Sequence, residues 1–232
     1  MPEAYLASSA LIAEQFDGNR TIEEANKVGF AGVQIFLDPK YRNPDYLESI
    51  LVSLENSNLG IVLHLPNIVE EEDVKIAEKI IREHPDAKVL IHYIPATELP
   101  NIIGTTVGWE NSKIGPLNEE MLTHMEEVKQ KVAQNNTFFV YDMGRQLYAN
   151  DETQIQESIN YIRAQIKSLD PKKDVIHLAD KTSWVLKFRD SMCALGDGIM
   201  QEFVEDIRNF KGVVVFEHEN LQMALDSLKA LK

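Results

Sequence analysis

The chain has a single cysteine, Cys193, among its 232 residues. An internal disulfide is therefore excluded, and a lone thiol suits a reducing, cytoplasmic compartment. Long apolar runs are also missing, and none approaches the ~18 residues that mark a membrane-spanning helix. The N-terminal stretch MPEAYLASSALIAEQ has no basic segment ahead of its apolar residues, so it does not read as a secretory signal. Basic residues are scarce: 23 Lys and Arg stand against 37 Asp and Glu, for a formal charge of −14. Nucleic-acid binding depends on neutralising phosphates with Lys and Arg, so this balance argues against a nucleic-acid partner and against anionic membranes. No low-complexity linker or shift in composition divides the sequence, so a single domain over residues 1–232 is expected. What is present is the material of a substantial core, with 44% hydrophobic residues.

Short β-rich runs alternate with amphipathic helical stretches. Strands are expected over Ala4–Leu11, Gly32–Leu37, Gly60–Leu65, Lys88–Ile94, Ile102–Glu110, Thr137–Asp142, Asp174–Leu178 and Gly212–Glu217. Thr21-Ile22-Glu23-Glu24 has the capping-box pattern of a helix start, with an end near Gly29. Asn43–Asn56 carries Pro44 in its first turn, and a helix over residues 70–83 opens on acidic residues. Further helices are expected over Asn118–Gln134, Glu152–Ser168, Met200–Asn209 and on to Leu231. Strands alternating with helices imply a parallel sheet, and eight such units close a (β/α)8 TIM barrel. Such barrels typically run to ~250 residues. The deficit is local: Glu110 follows His92 by only 18 positions, with Pro95 and Pro100 between them, so the fourth helix is expected to be reduced or missing.

Four strand-like runs end in a metal-type ligand. They are Glu110 in VGWEN, Asp142 in FFVYDMG, His177 in DVIHLAD and Glu217 in GVVVFEHEN, spaced by 32, 35 and 40 residues. Barrel active sites lie at the C-terminal strand ends, and strand side chains alternate faces, so one inward residue per strand converges on a single pocket. Three carboxylates and an imidazole suit Mn, Mg, Co or Zn, and a cation relieves the repulsion among the carboxylates. Taken singly, a Glu or Asp at a strand end is usually a cap or a solvated loop residue; the specificity lies in the set. His92 reads first as a satisfied core histidine, while His64, which ends its strand before Pro66, is more balanced between core and site. Glu23-Glu24 and Glu70–Asp73 read as solvated helix starts, Trp109 as packing that faces away from Glu110, and Gly196-Asp197-Gly198 as a turn before a helix. Glu219 shares the facing of Glu217 and is an alternative ligand.

HLAD and LGDG followed by VVVFEHE, preceded by strands ending in ENS and YDMG, resemble the xylose isomerase-like TIM-barrel superfamily. That group includes sugar isomerases, sugar epimerases, inosose-processing enzymes and the endonuclease IV type of nuclease. The resemblance runs from GFAGVQIF to the C-terminus. It implies one divalent metal ion held by Glu110, Asp142, His177 and Glu217. It also implies that Glu110 and Glu217 are catalytic, moving protons on opposite sides of a sugar whose metal-bound carbonyl acidifies the adjacent C–H. His64 and His92 match pocket-lining histidines of the third and fourth strands, Gln34 stands where many members have Glu, and these three with Arg145 and Asp180 are the candidate substrate-binding residues.

Two departures matter. Where the family often has Asp-x-x-His, this chain has Asp142-Met143-Gly144-Arg145, and arginine is neither ligand nor base. Arg145 suits an anionic group on the substrate, together with Lys181, Lys187 and Arg189. Where the nuclease branch has Asp-x-His, this chain has Asp190-Ser191-Met192. One metal is therefore expected rather than three. The resemblance implies a metal-dependent isomerase or epimerase acting on a small sugar or sugar-like substrate. Beside it stand a metal-dependent phosphodiesterase of the endonuclease IV type and a non-catalytic barrel with a degenerate site. Oligomeric state is left open.

Overall fold

The computed structural model describes residues 1–95, 98–185 and 191–232. Lys187, Arg189 and Asp190, singled out above, lie outside the described residues. Eight parallel strands close into a barrel: β1 (Glu3–Ala7), β2 (Gly32–Phe36), β3 (Gly60–His64), β4 (Lys88–His92), β5 (Val107–Glu110), β6 (Phe139–Asp142), β7 (Val175–Leu178) and β10 (Val213–Phe216). The last strand pairs with the first, Tyr5 lying beside Val215. A small antiparallel pair, β8 (Asp180–Lys181) and β9 (Met192–Cys193), sits apart from the barrel sheet. Among the described residues there are seven α-helices: α1 (Gly18–Val28), α2 (Pro44–Glu55), α3 (Glu71–Glu83), α4 (Glu119–Gln134), α5 (Glu152–Ser168), α6 (Val204–Asn209) and α7 (Leu221–Leu231). The architecture is the expected TIM barrel, and no helix joins β4 to β5 among the described residues. Tyr93 and Ile102 are buried there and join the outer core, so side chains of the connection cover what a helix otherwise would. No described helix is long and apolar enough to cross a membrane.

The two-residue period of the strands sorts their side chains. Leu6, Val33, Ile35, Leu63, Ile91, Trp109, Tyr141, Ile176 and Phe216 point outward into the shell of helices. Tyr5, Ala7, Val62, Leu90, Phe138, Val140, Val175, Val213 and Val215 form a second buried cluster, which fills the barrel itself. Its widest members need small neighbours. A Cβ on Gly32 or Gly60 would strike the Tyr5 ring, and one on Gly108 would strike Phe138.

Local details depart from expectation at two helix starts. α1 begins at Gly18, before the capping-box pattern, because the Asp17 carboxylate accepts from the Arg20 N–H at 2.9 Å. Thr21 lies within the first turn and donates to the Asp17 carbonyl at 2.7 Å. Glu24 is not solvated: it is buried and paired with Arg20 at 2.7 Å. Asp73 is likewise buried, accepting from the Glu70 N–H at 2.9 Å and from Arg42 at 3.1 Å. In both cases an arginine supplies the charge that lets the carboxylate leave water.

Candidate functional site

The interior apolar residues lie one pleat below the polar ones. Val62 precedes His64 by two positions, Leu90 precedes His92, Val140 precedes Asp142, Val175 precedes His177 and Val215 precedes Glu217. The same period carries Gln34 and Glu110 inward from Gly32 and Gly108. Sheet register then makes neighbours of His92 and Glu110, and of Asp142 and His177. The barrel mouth is thus a polar layer on an apolar plug.

Glu110 is the hub of that layer and is wholly buried. Its Oε2 lies 3.1 Å from His64 Nε2 and 3.4 Å from His177 Nδ1. Its Oε1 lies 3.1 Å from Arg145 Nη2 and 3.3 Å from His92 Nε2. His177 Nδ1 also faces Glu217 Oε1 at 3.2 Å, and Gln34 Nε2 donates to that same oxygen at 2.5 Å. Among the described residues, two sets of side chains bring ligand atoms within 4.8 Å of one another: His64, His92 and Glu110, and Glu110, His177 and Glu217. Asp142 joins neither set, because its Oδ2 is turned to Arg145 Nε at 2.6 Å. Of the expected ligand quartet, three side chains converge and the fourth serves a guanidinium.

The electrostatics follow from burial opposed by neighbours. Burial disfavours charge on His177, yet Glu217 and Glu110 outweigh it and push the imidazole up to about 10. Burial also works against charge on Glu110, but His177 holds it well below the usual carboxylate range. Glu217 is lowered for the same reason, His177 overriding burial. Asp142 goes the other way: burial, aided by Glu110 and Glu217, raises it to about 6 despite Arg145.

A cavity of about 340 Å³ opens over this layer, lined by Asp142, Arg145 and Glu217 on the polar side and by Ile114, Tyr148 and Met192 on the apolar side. That volume suits a small molecule. Glu217 lines it and Glu110 does not, so the two glutamates do not face each other across it. Glu219 lines the cavity without joining either ligand set.

Asp180 is corrected from a substrate contact to a loop clamp. Its carboxylate accepts from the backbone N–H of Lys181 at 2.7 Å, Met200 at 2.9 Å and Gly196 at 3.1 Å. This is what the LGDG segment answers to: a Cβ on Gly198 would collide with the Lys181 carbonyl and the Asp180 carboxylate. Lys181 is buried, with its Nζ 3.4 Å from the centre of the Tyr148 ring, and burial lowers it to about 8.

Three supporting residues escaped the sequence reading in this role. The Asn111 side chain accepts from the Asp142 N–H at 2.8 Å and donates to the Asp142 carbonyl at 3.1 Å, so it fixes the end of β6. Asn67 Oδ1 holds His92 Nδ1 at 2.6 Å. His124 Nε2 accepts from the N–H groups of Ser112 and Lys113 at 3.2 and 3.3 Å, pinning the turn after Glu110. Only Asn111 left a sequence signal, through the Glu-Asn pair.

No protein-family profile and no curated protein matches the chain. Solved structures do. The TTHB071 protein from Thermus thermophilus, in a crystal soaked with ZnCl2, aligns over 99% of this chain and 97% of its own at a TM-score of 0.57 and 16% identity. A GH18 chitinase from Pseudoalteromonas aurantia aligns over 99% of this chain and 100% of its own at a TM-score of 0.48 and 11% identity. The first likeness is one of fold.

The donor set fits a divalent cation. Neither ring nitrogen of buried His177 makes a well-directed hydrogen bond, although carboxylate oxygens lie on one side of the ring. His64 Nδ1 faces the Leu65 carbonyl at 2.8 Å, and a carbonyl only accepts, so Nδ1 carries the proton. Its Nε2 faces Glu110 Oε2 at 3.1 Å, a contact that needs a proton or a cation between the two atoms. Orphaned nitrogens beside clustered carboxylates are costly in a buried site unless a proton or a metal cation neutralises them.

Proposed function

We propose that the chain is a divalent-metal-dependent isomerase or epimerase of a small polyhydroxy carbonyl compound, with Glu110, His177 and Glu217 as the ligand set. The observation that carries this reading is the convergence of a buried carboxylate, Glu110, and a half-buried one, Glu217, on His177 beside a cavity of about 340 Å³. A bound divalent ion would polarise a carbonyl and acidify the neighbouring C–H.

The chain's own residues supply the rest. Glu217 lines the cavity, and beside a bound cation its carboxylate would stay ionised at neutral pH and able to accept a proton. Gln34 holds Glu217 Oε1, which leaves Oε2 to take the proton from the hydroxyl-bearing carbon beside the carbonyl and deliver it to the former carbonyl carbon, while the hydroxyl proton passes to the former carbonyl oxygen, so that carbonyl and hydroxyl exchange places. Glu110, without access to the cavity, holds its charge among three histidines and Arg145. Ile114, Tyr148 and Met192 give the cavity apolar surface beside these polar groups.

The test is a panel of ketoses, aldoses and inososes with Mn²⁺, read by deuterium uptake from solvent at the carbon beside the carbonyl. Exchange is expected with at least one compound, falling by about a hundredfold to ten-thousandfold in Glu217→Gln, the usual contribution of a general base. Unchanged exchange in that variant sinks the mechanism.

A second reading, a metal-dependent phosphodiesterase, is favoured by one feature. The two ligand sets share Glu110, as a carboxylate bridging two ions would be shared in a hydrolytic pair.

A further inference from the structure

We infer that Arg145 is a resident cation standing in for a second metal ion, so that the mouth takes one divalent ion at Glu110, His177 and Glu217. The inference rests on the metal-site reading above and assigns the one residue that departs most from the resemblance.

Glu110 belongs to both ligand sets: its Oε2 faces His64 of the first and His177 of the second, and its Oε1 faces His92 of the first. Oε2 faces His177 Nδ1 at 3.4 Å. Oε1 is taken by Arg145 Nη2 at 3.1 Å. The same Nη2 lies 2.9 Å from His92 Nε2. His92 Nδ1 is held 2.6 Å from Asn67 Oδ1, so the proton sits on Nδ1 and the lone pair on Nε2 points at the guanidinium. Arg145 has therefore engaged two of the three ligand groups in the His64, His92 and Glu110 set. A metal ion would need those same lone pairs.

The guanidinium is held firmly in that position. Nε lies 2.6 Å from Asp142 Oδ2, and Nη1 donates to the Ser112 carbonyl at 3.2 Å. Nη1 and Nη2 make hydrogen bonds, while Nε is ion-paired with Asp142 without a well-directed hydrogen bond. Arg145 stands in a short turn, Gly144–Gln146, anchored by the Tyr141 hydroxyl on Gln146 at 2.7 Å. Arginine keeps its charge at any working pH. A dication at the first set would have to displace that charge from between its own ligands. The second set offers Glu110 Oε2, His177 and Glu217 with no such occupant. The same pairing leaves Arg145 poorly placed to receive an anionic group of a substrate.

Metal stoichiometry tests this without reference to turnover. Dialysed protein is titrated with MnCl2 by calorimetry and with CoCl2 by visible absorption. Wild type is expected to bind one equivalent. Arg145→Met is expected to gain a second, and Arg145→Met/His92→Ala to lose it again. His92→Ala alone should keep one equivalent, with Kd within about threefold of wild type. Two equivalents in wild type, or one in a folded Arg145→Met protein, overturns the inference. If Arg145→Met does not fold, loss of the single equivalent in His92→Ala overturns it instead. No stoichiometric binding by wild type or either variant refutes the metal-site reading itself. One equivalent throughout leaves that reading standing and removes only the role given to Arg145.

Discussion

The floor and the mouth of this barrel are built by the same strands, two residues apart, and have opposite character. At the floor Tyr5, Val140, Val175 and Val215 pack in the interior cluster, and the Tyr5 ring fills the space left by Gly32 and Gly60. At the mouth Glu110, His177 and Glu217 crowd charge together, and both His177 nitrogens go without a good hydrogen bond. The floor is optimised for packing. The mouth is under electrostatic tension that packing does not relieve. Stability and binding should therefore separate by layer, and three substitutions probe that separation.

The largest effect is expected at the hub. Glu110→Gln keeps the shape and removes the charge that four side chains face. Calorimetric titration with MnCl2 should show affinity reduced by about a thousandfold, or ~4 kcal/mol. Urea unfolding of metal-free protein should change much less. A variant that binds Mn²⁺ like wild type would show that Glu110 is a core group and not a ligand.

Tyr5→Ala is the converse. It opens a cavity in the floor, and large-to-small changes of an aromatic core residue cost about 3–5 kcal/mol. Urea unfolding should report that loss while Mn²⁺ stoichiometry stays at the wild-type value. If metal binding falls with stability, the two layers are not separable and the comparison fails.

How far the sequence reaches also divides by layer. The barrel and its missing helix were legible because strand period, turn chemistry and the short interval between His92 and Glu110 are local signals. The convergence of Glu110, His177 and Glu217 was legible because each ends an apolar run at inward parity. What local signals do not carry is which partner a side chain chooses across the mouth. Asp142 has the right parity for a ligand, yet three positions on stands Arg145, whose Nε it faces at 2.6 Å. Asp180 sits in the right motif, yet the loop 16 residues later folds back and its N–H groups claim the carboxylate. Asp73 looked solvated because its partner Arg42 lies 31 positions away in the chain, whereas Glu24 has Arg20 at helical i,i+4 spacing, a local signal that went unread. His124 was invisible as a site residue, since it lies on a helix and reaches a turn 12 residues earlier in the chain.

His124 gives the smallest effect and the finest test of how the two layers are joined. Its Nε2 accepts two backbone N–H groups from the turn that follows Glu110, and Arg145 donates to the Ser112 carbonyl in that turn at 3.2 Å. Burial lowers the imidazole below its usual value, Lys113 and Arg145 add to this, and Glu127 opposes it, with the Tyr93 ring alongside. A histidine lowered in the fold stabilises only while neutral. Its contribution is complete above the ordinary value of about 6.5 and is lost as the pH falls through the lowered one. Protonation would turn an acceptor toward two donors. The melting temperature of wild type should therefore fall on going from neutral toward acid pH. In His124→Gln, whose side-chain oxygen accepts without titrating, that fall should be shallower by a few degrees. Because the turn holds Arg145, the same acidification should loosen the Arg145 contacts with Glu110 and Asp142 before it disturbs the floor. Parallel acid profiles for the two proteins would show that the turn is held by the barrel and not by His124.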